Sequence, residues 1–195
     1  MRVVLEVGHG GSKESWDPGA VVDGVQEARV VQAVAQHLSA LSGSGVTYDP
    51  KRRPTATGLA LLLHTIALNP PEAVVSLHCD SSATDPKIHR ATVYYWLGDH
   101  DVKRRHRSVD LAKRMAAELE SHQVASSVSI VSAPYAHGTD AEFTPGILRV
   151  GKAAVLIELG YLSDVHTRAQ MITPAWQEKA AVAIDAAVRD WIVIS

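Results

Sequence analysis

The chain has 195 residues, 46% of them hydrophobic and 21% charged, with a formal net charge of −2. That balance suits one soluble globular domain spanning residues 1–195 with a sizeable core, and it gives no reason to expect nucleic-acid binding or an anionic membrane partner. The single cysteine, Cys79, excludes an intramolecular disulfide, and no apolar run approaches the ~20 residues of a membrane span.

From the N-terminus, Val3–Val7 reads as a short strand running into "GHGGS", where Gly8, Gly10 and Gly11 leave His9 in a permissive loop. "DGVQEARVVQAVAQHLSAL" predicts a helix with Asp23 as N-cap and Gln26 at capping-box spacing. A strand follows at Val46–Tyr48, then a helix in "PTATGLALLLHTIAL" that starts from its proline and stops before Asn69-Pro70-Pro71. Ala73–His78 is nearly continuous in apolar character, as expected of a strand covered on both faces. Next come a strand at Ala91–Trp96, a helix in "RSVDLAKRMAAELESH" and a strand at Ser127–Val131. Ala153–Leu159 is a second strand of the buried kind, and "PAWQEKAAVAIDAAVRDWIVI" is a closing helix. Alternating short strands and longer helices, with no repeat or linker, predict one α/β layer domain.

Four residues carry the chemistry: His9, Glu27, His78 and Glu158. Positions 27, 31, 34, 38 and 41 share one helix face, and the last four are apolar, so Glu27 sits on the core stripe and requires a partner. That partner is either the helix N-terminus or a cation. His78 ends one strand and His9 lies just past another, at the strand ends where open α/β sheets place their ligands. Each imidazole alone reads first as a structural histidine. Together with Glu27 they form a His/Glu/His set suited to zinc, which leaves a fourth position for water. Glu158 ends a third buried strand. It is placed to act as general base and then acid beside that water, or else as a fourth ligand or a loop cap. Glu6 is a candidate hydrogen-bond acceptor for the His9 imidazole, or simply a buried hydrogen-bonded group.

Three stretches, "VVLEVGHGGSKESWDPGAVVDGVQE", "VVSLHCDSS" and "AAVLIELGYLSD", resemble in order and spacing the signature blocks of the type 3 zinc-dependent N-acetylmuramoyl-L-alanine amidases. The ending "ITPAWQEKAAVAIDAAV" is also similar to that family's last helix. The resemblance implies a three-layer αβα fold with a mixed sheet of about six strands and helices on both faces. It implies that His9, Glu27 and His78 hold one zinc ion and that Glu158 is the catalytic carboxylate. The implied reaction is hydrolysis of the amide joining N-acetylmuramic acid to L-alanine in peptidoglycan. Glu6 stands where the family usually has aspartate, and Asp80 where it commonly has asparagine. Some relatives carry an inserted helix that blocks the zinc. The short segment after "ATVYYW" predicts an open site here.

Other features fit a wall-acting enzyme without defining it. His137, in the turn-rich stretch "APYAHGTDAEFTPG", is a candidate substrate contact, and Trp16 and Tyr135 could line the same groove. Trp96 reads as core. "KRRHR", residues 103–107, reads as a solvated helix start, and Cys79 as core rather than ligand. The remaining readings are a zinc peptidase cutting within the stem peptide and a zinc-stabilised wall-binding module without catalysis. The expectation is a monomer acting at the bacterial cell wall. With no export leader visible, that means either a phage-released lysin or the trimmed catalytic part of a secreted enzyme.

Overall fold

The computed structural model describes residues 1–194 apart from 54, 56, 57, 84, 86–88, 99, 100, 134, 137–141 and 144. Six strands form the central sheet: β1 (Arg2–Val7), β2 (Thr47–Arg52), β3 (Ala73–Asp80), β4 (Ala91–Trp96), β5 (Val128–Ala133) and β6 (Ala154–Tyr161). Their order is β2-β1-β3-β6-β4-β5. The first four are parallel, β4 runs antiparallel to β6, and β5 is parallel to β4, so the sheet is mixed. The helices are α1 (Glu27–Ala40), α2 (Leu59–Leu68), α3 (Val102–Ser121), α4 (Val165–Met171) and α5 (Pro174–Ile194).

Alternation along the strands sorts side chains into two cores. Leu5, Val7, Leu77, Cys79, Ile157 and Leu159 pack toward α1, α3 and α5, with Trp191 fully buried among them. Val4, Val74, Ala154 and Leu156 point the other way, against Leu62 and Ile66 of α2 and the 3-10 turn Gly146–Arg149. Helices therefore cover both faces, as expected. The same period of two puts Glu6, Ser76, His78 and Glu158 on the α2 face of three adjacent strands. Glu6 is in register with Ser76, and Glu158 with His78.

Several boundaries differ from the sequence reading. Asp23 is not an N-cap. It and Gly24, at φ +48° and +79°, form the turn of a ribbon pairing Val21–Val22 with Val25–Gln26, and α1 starts at Glu27. Asp-Gly is a two-residue hairpin signal, and here it overrides the capping-box spacing. β2 runs on through Pro50 to Arg52, which proline allows because β2 is an edge strand. α2 opens only at Leu59, after Gly58, while Pro54 lies outside the described residues. α4 was not anticipated; Asp164 caps it by accepting from Thr167 N at 2.6 Å.

α3 begins at Val102, so "KRRHR" forms its first turns. The run is only partly solvated, because spacing of three places Arg104 and Arg107 toward the protein. Arg104 donates to the carbonyls of Leu148 (2.7 Å) and Gly151 (2.9 Å), and Arg107 lies 4.9 Å from the Trp191 ring centroid.

Candidate metal centre

β1 ends at Val7, and the chain turns beside the end of β3 through Gly8, whose N–H donates to Leu77 O at 3.0 Å. A Cβ at Gly8 would lie 2.5 Å from that carbonyl oxygen and 2.6 Å from His78 Cε1, so the close approach requires glycine. His9 follows at φ +60°, a left-handed conformation uncommon for a side-chain-bearing residue. Its Nδ1 donates to Asp17 Oδ2 at 2.7 Å, and its Nε2 lies 3.3 Å from Glu27 Oε2.

Glu27 is the first residue of α1 and is only 4% exposed. Its Oε2 accepts from Ala20 N (3.0 Å) and its Oε1 from Cys79 N (3.1 Å), while Oε1 also lies 2.8 Å from His78 Nδ1. Burial would raise its pKa. The hydrogen bond and charge of His78, the charge of His9 and the Ala20 N–H outweigh burial and hold the carboxyl below its ordinary range.

The other ring nitrogen of His78, Nε2, faces Glu6 Oε2 at 3.4 Å. Glu6 therefore meets His78 and not His9, because side chain 6 shares its sheet face with 76 and 78. Ser76 Oγ donates to Glu6 Oε2 at 2.5 Å. Burial opposes a charge on His78, but its bonds to Glu27 and Glu6 prevail and push its pKa up to about 10. Asp17 takes the place beside His9 that the sequence reading gave to Glu6.

His9, Glu27 and His78 each offer a donor atom, and the three donors lie within 4.8 Å of one another. Among the described residues no fourth histidine, cysteine, aspartate or glutamate joins them. The two rings meet edge to face, with centroids 5.2 Å apart. Two imidazole nitrogens and one carboxylate oxygen suit zinc better than calcium or magnesium, which take oxygen ligands. With Nδ1 of His9 held by Asp17 and Nε2 of His78 facing Glu6, each ring keeps one nitrogen toward Glu27. The residues present fit the ion.

Glu158 lines a cavity of about 410 Å³ together with His9, His78, Glu6 and Arg53. Its Oε2 is sealed from bulk solvent and has no hydrogen-bond partner among the described residues. Burial is the main cause pushing its pKa up to about 8; Asp80 and Glu27 add to the rise and His78 opposes it. Asp80 ends β3 next to Tyr161 and acts here through its charge, not as a lining residue. A roomier hollow of about 550 Å³ beside His89 and Arg90 shares none of these groups.

His137 lies outside the described residues, as does the side chain of Tyr135. Trp16 is half-buried, with Arg29 stacked 4.5 Å from its ring centroid. Only residues 97–101 separate β4 from α3. Sequence reasoning missed Asp17 and Arg53. The signals were a charge directly before the Pro18-Gly19 turn and an arginine just past a strand end.

A profile described as N-acetylmuramoyl-L-alanine amidase matches residues 3–190. No curated protein sequence matches the chain. Among solved structures, the apo form of the N-acetylmuramyl-L-alanine amidase Ami1 from Mycobacterium abscessus is 20% identical, with a TM-score of 0.78 over 98% of each chain. An N-acetylmuramoyl-L-alanine amidase from Clostridium difficile 630 is 18% identical, with a TM-score of 0.77 over 98% of this chain and 96% of that one. The catalytic domain of an endolysin targeting Clostridia difficile is 16% identical, with a TM-score of 0.70 over 97% of each. At these identities the structural likeness is one of fold.

Proposed function

Since this chain belongs to the N-acetylmuramoyl-L-alanine amidase family, and is an enzyme of peptidoglycan hydrolysis, we propose that it works as a zinc enzyme, with His9, Glu27 and His78 holding one ion and Glu158 moving the proton. The observation that carries this reading is the juxtaposition of the three converging donors with a buried carboxylate oxygen that has no partner of its own. Zinc, when bound, supplies Lewis acidity toward the scissile carbonyl and makes water easier to deprotonate.

The Glu158 carboxylate accepts a proton from the water that attacks the carbonyl carbon of the lactyl–alanine amide. As the C–N bond breaks, the same carboxyl returns that proton to the departing amino group of L-alanine. Without metal, burial keeps this carboxyl protonated up to a pKa of about 8; a dication held by the three donors would draw that down toward neutrality, where a carboxylate takes a proton and gives it back at little cost. Glu27 and the two histidines stay in place as ligands. Asp17 and Glu6 hold the ring nitrogens that face away from Glu27.

The three donors and Glu158 all belong to one chain, so the set is complete without a partner subunit, and the reading is of a monomer acting on the wall polymer as a single catalytic domain. No helix among the described residues is long and apolar enough to cross a membrane. The test is muropeptide analysis by mass spectrometry. The parent should release free L-alanine amino termini from sacculi and stop doing so with a chelator. Glu158→Gln should lose about 10²–10⁴-fold in rate while binding one zinc per chain. New termini inside the stem peptide would replace the amidase with a peptidase, and parental activity in Glu158→Gln would remove the proposed base.

A further inference from the structure

Arg53 follows β2 directly and is 13% exposed at its side chain. Its Nε is 3.7 Å from Glu6 Oε1, and its Nη1 is 3.6 Å from Asp17 Oδ2. Those two carboxylates are the ones that face His78 Nε2 and His9 Nδ1. One guanidinium thus stands between both carboxylate–imidazole pairs. Neither contact is a close hydrogen bond, and Arg53 Nε is buried without a hydrogen-bond partner. Among the described residues Arg53 is the permanent cation paired with either Glu6 or Asp17.

From this juxtaposition we infer that Arg53 is a positioning residue for the metal centre: it carries the counter-charge of Glu6 and Asp17 and thereby fixes both ligand histidines with one nitrogen toward Glu27. This rests on the metal reading above. A histidine ligand needs its second nitrogen held by an acceptor, and the acceptor needs its own charge balanced when buried. Glu6 is 1% exposed, with Ser76, His78 and Arg53 as its partners. A ligated His78 keeps only its Nε2–H toward Glu6, so the balancing charge for that carboxylate comes from Arg53. Its planar fork spans two acceptors, which the single ammonium of lysine cannot do at once.

The test is zinc affinity, measured by competition with a chromogenic chelator, in the parent, Arg53→Met and Arg53→Lys. Arg53→Met keeps the apolar stem and should weaken zinc binding about 10–100-fold, the usual effect of removing an outer partner of a metal ligand. Arg53→Lys should recover part of that loss. A second readout is the ¹⁵N ring shifts of His9 and His78 in the zinc-loaded proteins. The parent should show proton-bearing Nδ1 on His9 and Nε2 on His78, and Arg53→Met should show a mixture of ring orientations, with part of the zinc bound through the opposite nitrogen. Unchanged affinity and unchanged ring shifts in Arg53→Met would overturn the inference while leaving the metal centre standing. A parent that takes up no zinc would instead overturn the metal reading and this inference with it. Circular dichroism of each variant without metal separates failure to fold from loss of the site.

Discussion

Two residues at the site show how local geometry fixes chemistry. Glu158 is a carboxyl in register with His78 whose Oε2 has no hydrogen-bond partner among the described residues. Its folded pKa of about 8 lies above the ordinary glutamate value of 4.5, so the folded state holds the proton longer. Folding stability therefore falls as pH rises from about 4.5 to about 8 on account of this group, and levels off above that. In chelator-treated protein, the melting temperature of Glu158→Gln relative to the parent should accordingly rise between about pH 5 and pH 8.5. A constant difference across that range would show that Glu158 ionises as a solvated carboxyl does. Gly19 shows the steric side. At φ +66°, a Cβ there would lie 2.5 Å from Glu27 Oε2 and 2.7 Å from His9 Cδ2. Gly19→Ala should cost ~1–3 kcal/mol in denaturant unfolding and also weaken zinc binding, because the methyl group pushes two ligands apart.

At the scale of elements, the edge that carries the candidate site is built from strand ends tied down by short connectors. Two small ribbons, Gly10–Ser12 with Ser15–Asp17 and Val21–Val22 with Val25–Gln26, bring Asp17 against His9 and deliver Glu27 at the start of α1. Beyond β6, α4 packs so closely that a Cβ at Gly160 would meet Thr167 Cγ2 at 2.9 Å. Its cap, Asp164, is buried, and it also pairs with His89 Nδ1 at 3.1 Å. Burial would raise the Asp164 pKa, but the Thr167 N–H and the neighbouring histidines hold it below its ordinary range. Asp164→Ala should lose about 0.5–2 kcal/mol of stability by thermal unfolding, the usual worth of an N-cap. Because α4 contributes no group to the metal set, zinc stoichiometry should stay at one per chain.

For the whole molecule, the sheet supplies the base and the candidate metal centre concentrates charge at one edge of it. Glu6, Asp17, Glu27 and Glu158 crowd together there, and among the described residues Arg53 and the two histidines oppose them. A dication bound to the folded state alone adds stability as the logarithm of its concentration over its dissociation constant, about 4 kcal/mol at a 1,000-fold excess. Stripping the metal should therefore lower the melting temperature by several degrees, and added zinc should restore it. Equal melting curves with and without chelator would indicate that the ion does not couple to folding.

Much of this was legible in the sequence. Apolar runs at Ala73–His78 and Ala153–Leu159 marked the central strands, and period-two alternation placed Cys79 on the core face away from His78. The helical face of Glu27 pointed to a buried carboxylate with a partner. These features follow from local periodicity, which is set by backbone geometry before any tertiary contact forms. Tertiary structure alone decided which acceptor met which imidazole. Glu6 went to His78 because strand pairing put them on neighbouring strands of one face, while Asp17 reached His9 through a ribbon turn. Arg53 gained its place only when β2 paired beside β1 and carried its end alongside both carboxylates. Sequence spacing encodes which face a residue takes; which residues from distant segments share that face depends on strand order, and strand order is a property of the folded sheet.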